Sequence, residues 1–223
     1  MRAALLDELR DARAAKRAVA LITWLDGRDQ QLVTLDAAPE PLRATVGEAL
    51  RSDSAIVVEH GDAKVLVEPH NPPPRLIIVG AVHVAEPLAT MATVAGLGVI
   101  IVDPRRAWAT PARFPAQQLV IEWPDAAIAS LAPDARTAIV TLTHDPKLDD
   151  PALEAALRSP AFYIGCLGSK KTHAARLERL GARGASGLDR LHGPVGLPLG
   201  AKSPAEIAVS ILAQIIAALR KPS

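Results

Sequence analysis

Cysteine, aromatic side chains and net charge are all scarce in this sequence, and each scarcity excludes something. A single cysteine, Cys166, excludes an intramolecular disulfide framework and a multi-thiolate zinc site, and it fits a reducing compartment. Twenty-five basic against 24 acidic side chains leave a formal charge of +1 on 223 residues. No global field exists to hold a nucleic-acid backbone or an anionic membrane surface, so any anion must be gripped locally. No charge-free apolar run reaches about 18 residues, and the opening MRAALLDELRDARAAKRAVAL puts acids and bases where a secretory signal needs an apolar stretch. The expectation is a soluble, cytoplasmic protein that engages neither nucleic acid nor membrane. Aromatics make up only 3%, so the core is built from Ala, Val, Ile and Leu. At 49% hydrophobic and 22% charged, the chain has the composition of a packed globular protein rather than a disordered one.

What is present is an α/β rhythm. RLIIVG (75–80), GVIIVD (98–103), QLVIEW (118–123), TAIVTLT (137–143) and AFYIGCL (161–167) are continuous β-branched runs of the kind that form buried parallel strands. Residues 84–95 and 151–158 suit crossover helices, with a shorter piece at 126–131. Ser203-Pro204-Ala205-Glu206 reads as a capping box with proline at the first helical position, opening an apolar helix to Leu219. Only Glu206, Ser210 and Gln214 make a polar stripe on that helix, so it packs over most of its circumference. Before Arg75 the pattern changes: an amphipathic helix at 3–18, short strand-like runs AVALITW, QLVTL, AIVVE and KVLVE, and a helix-like piece at 41–51. Three consecutive prolines, Pro72 to Pro74, mark the boundary. The expected architecture is a small α+β segment at 1–71 followed by a Rossmann-like, doubly wound parallel sheet at 72–223.

Strand, tight turn and helix follow one another at Gly80-Ala81-Val82-His83-Val84-Ala85, and Asp103 ends the next strand. In a dinucleotide fold the first glycine makes the turn, the second admits a pyrophosphate, the third small residue lets helix and strand pack, and the acid binds ribose hydroxyls. Gly80, Ala85 and Asp103 fit those places. Val82 does not, which argues against tight NAD(P) binding. His83 opens the helix as a ligand to the crevice or as a solvated cap. Arg105, beside the acid, either pairs a phosphate bidentately or closes a loop salt bridge.

A second anion-suited turn is Gly168-Ser169-Lys170-Lys171: a glycine, a serine N-cap and two lysines at the positive end of a helix, with Leu177 and Leu180 inward and Arg176 and Arg179 outward. Two lysines in a first turn oppose the helix dipole unless an anion offsets them, which favours phosphate binding over a plain charge run. Thr143-His144-Asp145 ends its strand at the same sheet edge if the strands are parallel. There His144 and Asp145 serve as acid–base partners, metal ligands or caps, and no accompanying carboxylate set makes a protein-only metal cage. Cys166 is either an inert small hydrophobe or a thiolate activated by the helix end and Lys170, able to touch a soft metal. The stretch 191–201 is a loop held by glycine and proline that shapes a pocket or an interface between copies, or merely connects.

Two runs, YIGCLGSKKTHAARLERL and LHGPVGLPLGAKSPAEIAVSILAQIIAAL, are similar to the closing signature of the XdhC/CoxI family, which assists the maturation of molybdenum hydroxylases. PPPRLIIVGAVHVAEPLA, VDPRRAWATPARFP and VTLTHDPKLDDPALEAAL resemble the same family's Rossmann domain in the same order. The likeness covers roughly residues 72 to 219. It implies an accessory protein that binds the molybdenum cofactor transiently, shields it during sulfuration and helps insert it into a xanthine dehydrogenase type enzyme. Cysteine desulfurase and the hydroxylase are the implied partners, and a homodimer the implied assembly. Such a carrier is more a chaperone than an enzyme and needs no catalytic residues. The family's turn usually reads G-A-G-H, so Val82 departs from it while His83 remains, and the G-S-x-P-R stretch of longer members is not found in 1–71. On this reading Gly80, His83, Asp103, Arg105, His144, Asp145, Gly168, Ser169 and Lys170 hold the cofactor, with Cys166 a candidate metal contact. The rival reading from the same residues is an NAD(P)-dependent oxidoreductase motivated by Gly80 and Asp103. A third is an interaction scaffold with a vestigial site.

Overall fold

The computed structural model describes residues 3–27 and 29–220. The chain divides into two compact units that meet in sequence at Pro72 and Pro73.

In the first unit, helix α1 (Ala3–Ala14) precedes strands β1 (Val19–Trp24) and β2 (Gln30–Val33), helix α2 (Glu40–Ser52), and strands β3 (Ile56–His60) and β4 (Ala63–His70). The strands form an antiparallel sheet in the order β2-β1-β4-β3. Val65 and Val67 alternate inward along β4 and meet Ala20 and Ile22 of β1 and Leu42, Val46 and Ala49 of α2 in one buried cluster.

The second unit begins with β5 (Arg75–Val79), α3 (Ala85–Val94), β6 (Gly98–Val102) and β7 (Gln118–Val120). It continues through α4 (Pro124–Leu131), β8 (Thr137–Thr141), α5 (Pro146–Leu157) and β9 (Tyr163–Cys166). It ends with α6 (Lys170–Ala182), a short 3-10 turn, β10 (Leu191–His192) and α7 (Pro204–Leu219). Its sheet runs β10-β9-β8-β5-β6-β7, every pair parallel. The chain winds outward from β5 to β7, returns to β8 beside β5, and winds out the other way, the doubly wound topology of a Rossmann fold. Both faces are buried, which is why the strands are apolar without alternation. Leu76, Ile78, Ala138 and Val140 pack on one side with Leu88 of α3 and Ile211 and Ile215 of α7. Ile77, Ile139 and Ile164 pack on the other with Ile128 of α4, Leu153 of α5 and Leu180 of α6.

Two elements depart from the sequence expectation. Helix α5 starts at Pro146 rather than at Pro151, because Asp145 caps it by accepting from the Lys147 N–H at 2.9 Å; Pro151 then lies inside the helix. The stretch 191–201 is not wholly loop, since Leu191 and His192 extend the sheet alongside Ile164 and Gly165. The capping box of α7 is present, with Ser203 and Glu206 bonding each other's backbone.

Candidate functional site

Parallel strands share one carboxyl edge, and in a doubly wound sheet the helices on opposite faces leave a crevice where the winding reverses. Here that point lies between β5 and β8. Gly80 follows β5, Asp103 follows β6, His144 and Asp145 follow β8, and Gly168 to Lys170 follow β9. The candidate residues of the sequence thus stand on four neighbouring strand tips.

Gly80 is required at its tip. Its φ of +106° and the 2.5 Å that would separate an added Cβ from the Thr143 methyl leave room only for hydrogen, so the turn after β5 is pressed against the tip of β8. Val82 is half-buried against the core beneath α3. His83 is exposed at the entrance to that helix. The N–H groups of residues 82–84 have no acceptor among the described residues.

Asp103 does a different job from the one its place suggests. Oδ2 accepts from the Ala81 N–H at 2.8 Å and Arg105 Nη2 at 2.7 Å; Oδ1 accepts from the Arg105 N–H at 2.9 Å and Nε at 2.8 Å. A carboxylate offers about four acceptor positions, and all are taken. Burial pushes this carboxyl up, but the Arg105 and Ala81 hydrogen bonds outweigh it and hold it below the ordinary range. Asp103 is therefore a brace between two turns rather than a ribose ligand. Arg105 closes the loop salt bridge, and its guanidinium also lies over the Trp108 ring, 4.5 Å from the centroid.

At the β8 tip, Asp145 is the cap of α5, and its own N–H is satisfied by Thr143 Oγ at 3.0 Å. Of the roles open to it, the structure shows the cap. His144 is exposed and held in the left-handed region with φ of +61°. Thr143 Oγ donates to Asp149 Oδ1 at 2.7 Å. Asp149, which the sequence did not single out, is buried. Burial pushes its carboxyl up, more than the Thr143 bonds and Arg176 pull it down.

The Gly168 turn is the most open to an anion. Ser169 Oγ accepts from the Thr172 N–H at 3.1 Å, as an N-cap does. The N–H groups of residues 168–171 have no acceptor among the described residues. Gly168 has φ of +143°, and a Cβ there would press within 3.1 Å of Thr172. Lys170 and Lys171 are exposed beside these amides. The expectation that Arg176 points outward is wrong: it is 2% exposed, donates to the Leu167 carbonyl at 2.9 Å and faces Asp149 at 3.8 Å. It is long enough to reach back along the helix to the β9 tip, where Asp149 of α5 draws it inward. Arg179 pairs instead with the fully buried Asp150 at 2.9 and 3.1 Å.

Cys166 lies in the core with no exposure, and burial pushes its thiol up to about 12. Of the two roles open to Cys166, the structure shows the inert small hydrophobe and not the activated thiolate, because the side chain packs into the buried cluster under α5 and α6. Among the described residues no group of three or more His, Cys, Asp or Glu is gathered for a metal ion.

The arrangement can grip an anion by main-chain amides at two tips, with β8 between them, so the two grips are about 10 Å apart. Comparisons with known proteins agree with this architecture. The family described as the XdhC Rossmann domain matches residues 76–215. The chain is 34% identical over 176 residues to a protein of Bacillus subtilis named as a probable xanthine dehydrogenase subunit, covering 78% of this chain and 52% of that one. It is 32% identical over 143 residues to the molybdenum cofactor insertion chaperone PaoD of Escherichia coli, covering 63% of this chain and 39% of that one. The chain thus spans about half, or less, of the length of these relatives. A crystal structure described as a xanthine dehydrogenase from Bacillus halodurans matches with a TM-score of 0.79 at 23% identity, over 97% of this chain and 67% of that one, a likeness of fold.

Proposed function

The chain belongs to the XdhC Rossmann-domain family, and from that premise we propose that it carries the molybdenum cofactor and helps insert it into a xanthine dehydrogenase type hydroxylase. The observation that supports this most is the run of amides at 168–171 without protein acceptors, flanked by Lys170 and Lys171. A phosphate tail suits that grip: successive N–H groups at a helix start, a cap that leaves them free, and two cations nearby. The cofactor is cargo here, and its metal chemistry belongs to the recipient enzyme. The chain's own residues hold and orient it: the 168–171 amides and Lys170 at the phosphate, Gly80 by making the tight turn that leads into the 82–84 amides, and His83 and His144 as exposed imidazoles at the crevice. Asp103 and Arg105 hold the turns that present these groups.

The proposal extends to protection of the cofactor while cysteine desulfurase supplies sulfur, and to a homodimer in the cytoplasm. No described helix is long and apolar enough to cross a membrane. The oxidoreductase alternative has less support, because the carboxylate it would use for ribose is fully engaged by Ala81 and Arg105.

The test is to purify the protein from a host that makes the cofactor, oxidise it and read pterin fluorescence. Pterin should co-purify, and Lys170→Ala should weaken retention by about 1–3 kcal/mol, the range for a charge-assisted hydrogen bond. Protein free of pterin, with full hydroxylase activity in a deletion strain, would refute the proposal.

A further inference from the structure

Trp108 is 40% exposed, yet it is not loosely held. Its backbone N–H donates to the Arg105 carbonyl at 2.9 Å. Its carbonyl accepts from Arg113 Nη1 at 2.7 Å, and the same nitrogen donates to the Ala81 carbonyl at 2.8 Å. Arg113 is itself anchored, with its Nε on Glu86 of α3 at 2.7 Å. The Arg105 guanidinium over the ring is fixed in turn by its two bonds to Asp103, whose carboxylate also holds the Ala81 N–H. The ties on Trp108 therefore lead back to Ala81, the residue after Gly80. The backbone of Trp108 is thus fastened to the turn that follows β5, and its part-exposed indole is held on one face by the anchored Arg105 guanidinium.

A rigid aromatic platform loses little freedom when a flat partner stacks on it. Its surroundings also narrow the partner. Arg106, Ala107 and His83 are exposed neighbours in sequence or at the adjoining tip, so an apolar protein segment would find no continuous greasy groove here. A ring with polar edges suits both the indole face and the free amides.

We propose that Trp108 is the stacking platform for the planar nitrogen heterocycle of a phosphorylated ligand, a pterin or a nucleobase, bound on the indole surface that Arg105 leaves open. This rests on the carrier reading above and adds to it the residue that recognises the ring. Asp103, Arg105 and Arg113 are positioning residues for that platform.

Substituting Trp24→Phe and Trp123→Phe leaves Trp108 as the sole indole. Its emission should fall saturably with 6-hydroxymethylpterin phosphate, or with CMP, GMP or AMP in a parallel arm, and not with inorganic phosphate. Whichever arm responds identifies the source of the ring. By calorimetry on the full chain, Trp108→Ala should weaken binding by about tenfold or more, and Trp108→Phe should restore most of it. A Trp108→Ala variant that is folded by circular dichroism and binds within about twofold of the parent overturns the platform and leaves the carrier reading standing. Failure of the parent to bind any of these probes overturns both.

Discussion

Asp103 shows how a residue in the place of a ligand contact becomes a scaffold. Its four hydrogen bonds join the β5 turn to the loop after β6. Asp103→Asn would keep the shape but put an amide donor against Arg105 or the Ala81 N–H, and should lower stability by about 2 kcal/mol, measured by urea unfolding at pH 7. The sign of the pH dependence follows from the depressed carboxyl. The native state holds this proton less tightly than the unfolded chain, so the stabilisation is complete above the ordinary Asp value of about 4. It is lost as pH falls through the lower native value. The gap between wild type and Asp103→Asn should therefore close below about pH 4. A gap that stays constant down to about pH 3 would mean that the charge of Asp103 is not what holds the turns. Asp149 runs the other way: its carboxyl is raised, so ionising it on folding costs stability as pH rises, and burial rather than pairing dominates.

Among the elements, α7 depends most on its polar stripe. Gln214 Oε1 accepts from Tyr163 Oη at 2.5 Å and from the Gly196 N–H at 2.7 Å, and Ser210 Oγ donates to the Leu197 carbonyl at 2.7 Å. The stripe thus fastens the 191–201 segment to the helix and to β9, while Ile211 and Ile215 fill the core beside it. Gln214→Leu would strand two donors at once. The expected loss is about 2–4 kcal/mol by chemical denaturation, since each buried unmet donor costs roughly 1–3 kcal/mol. A loss under about 0.5 kcal/mol would mean that water replaces the amide. By contrast, Leu199 and Val209 remain exposed on the loop before α7 and on its outer face.

At the scale of the molecule, the unit from Pro73 onward carries apolar clusters on both faces of its sheet, drawn from its own strands and helices. Residues 73–220 expressed alone should fold with a single cooperative urea transition. A fragment that binds a hydrophobic dye and melts without cooperativity would show that this core is insufficient.

The parallel sheet, its helices and the edge at which Gly80, Asp103, His144 and Gly168 stand were legible in the sequence, because buried strands, tight turns and caps are written in neighbouring residues. The 3.6-residue and continuous apolar patterns need no knowledge of distant partners. What the tertiary structure alone decided is how each polar side chain is used. Asp103 is consumed by Ala81, 22 residues away, and Arg176 turns inward because α5 brings Asp149 to it across the β9 connection. Asp149 and Asp150 are buried only once α5 and α6 are packed together, and Cys166 stays open between inert and reactive until its burial is known. A hydrogen bond's geometry depends on which strands become neighbours, and that order is set by the winding of the whole chain rather than by any local stretch of it.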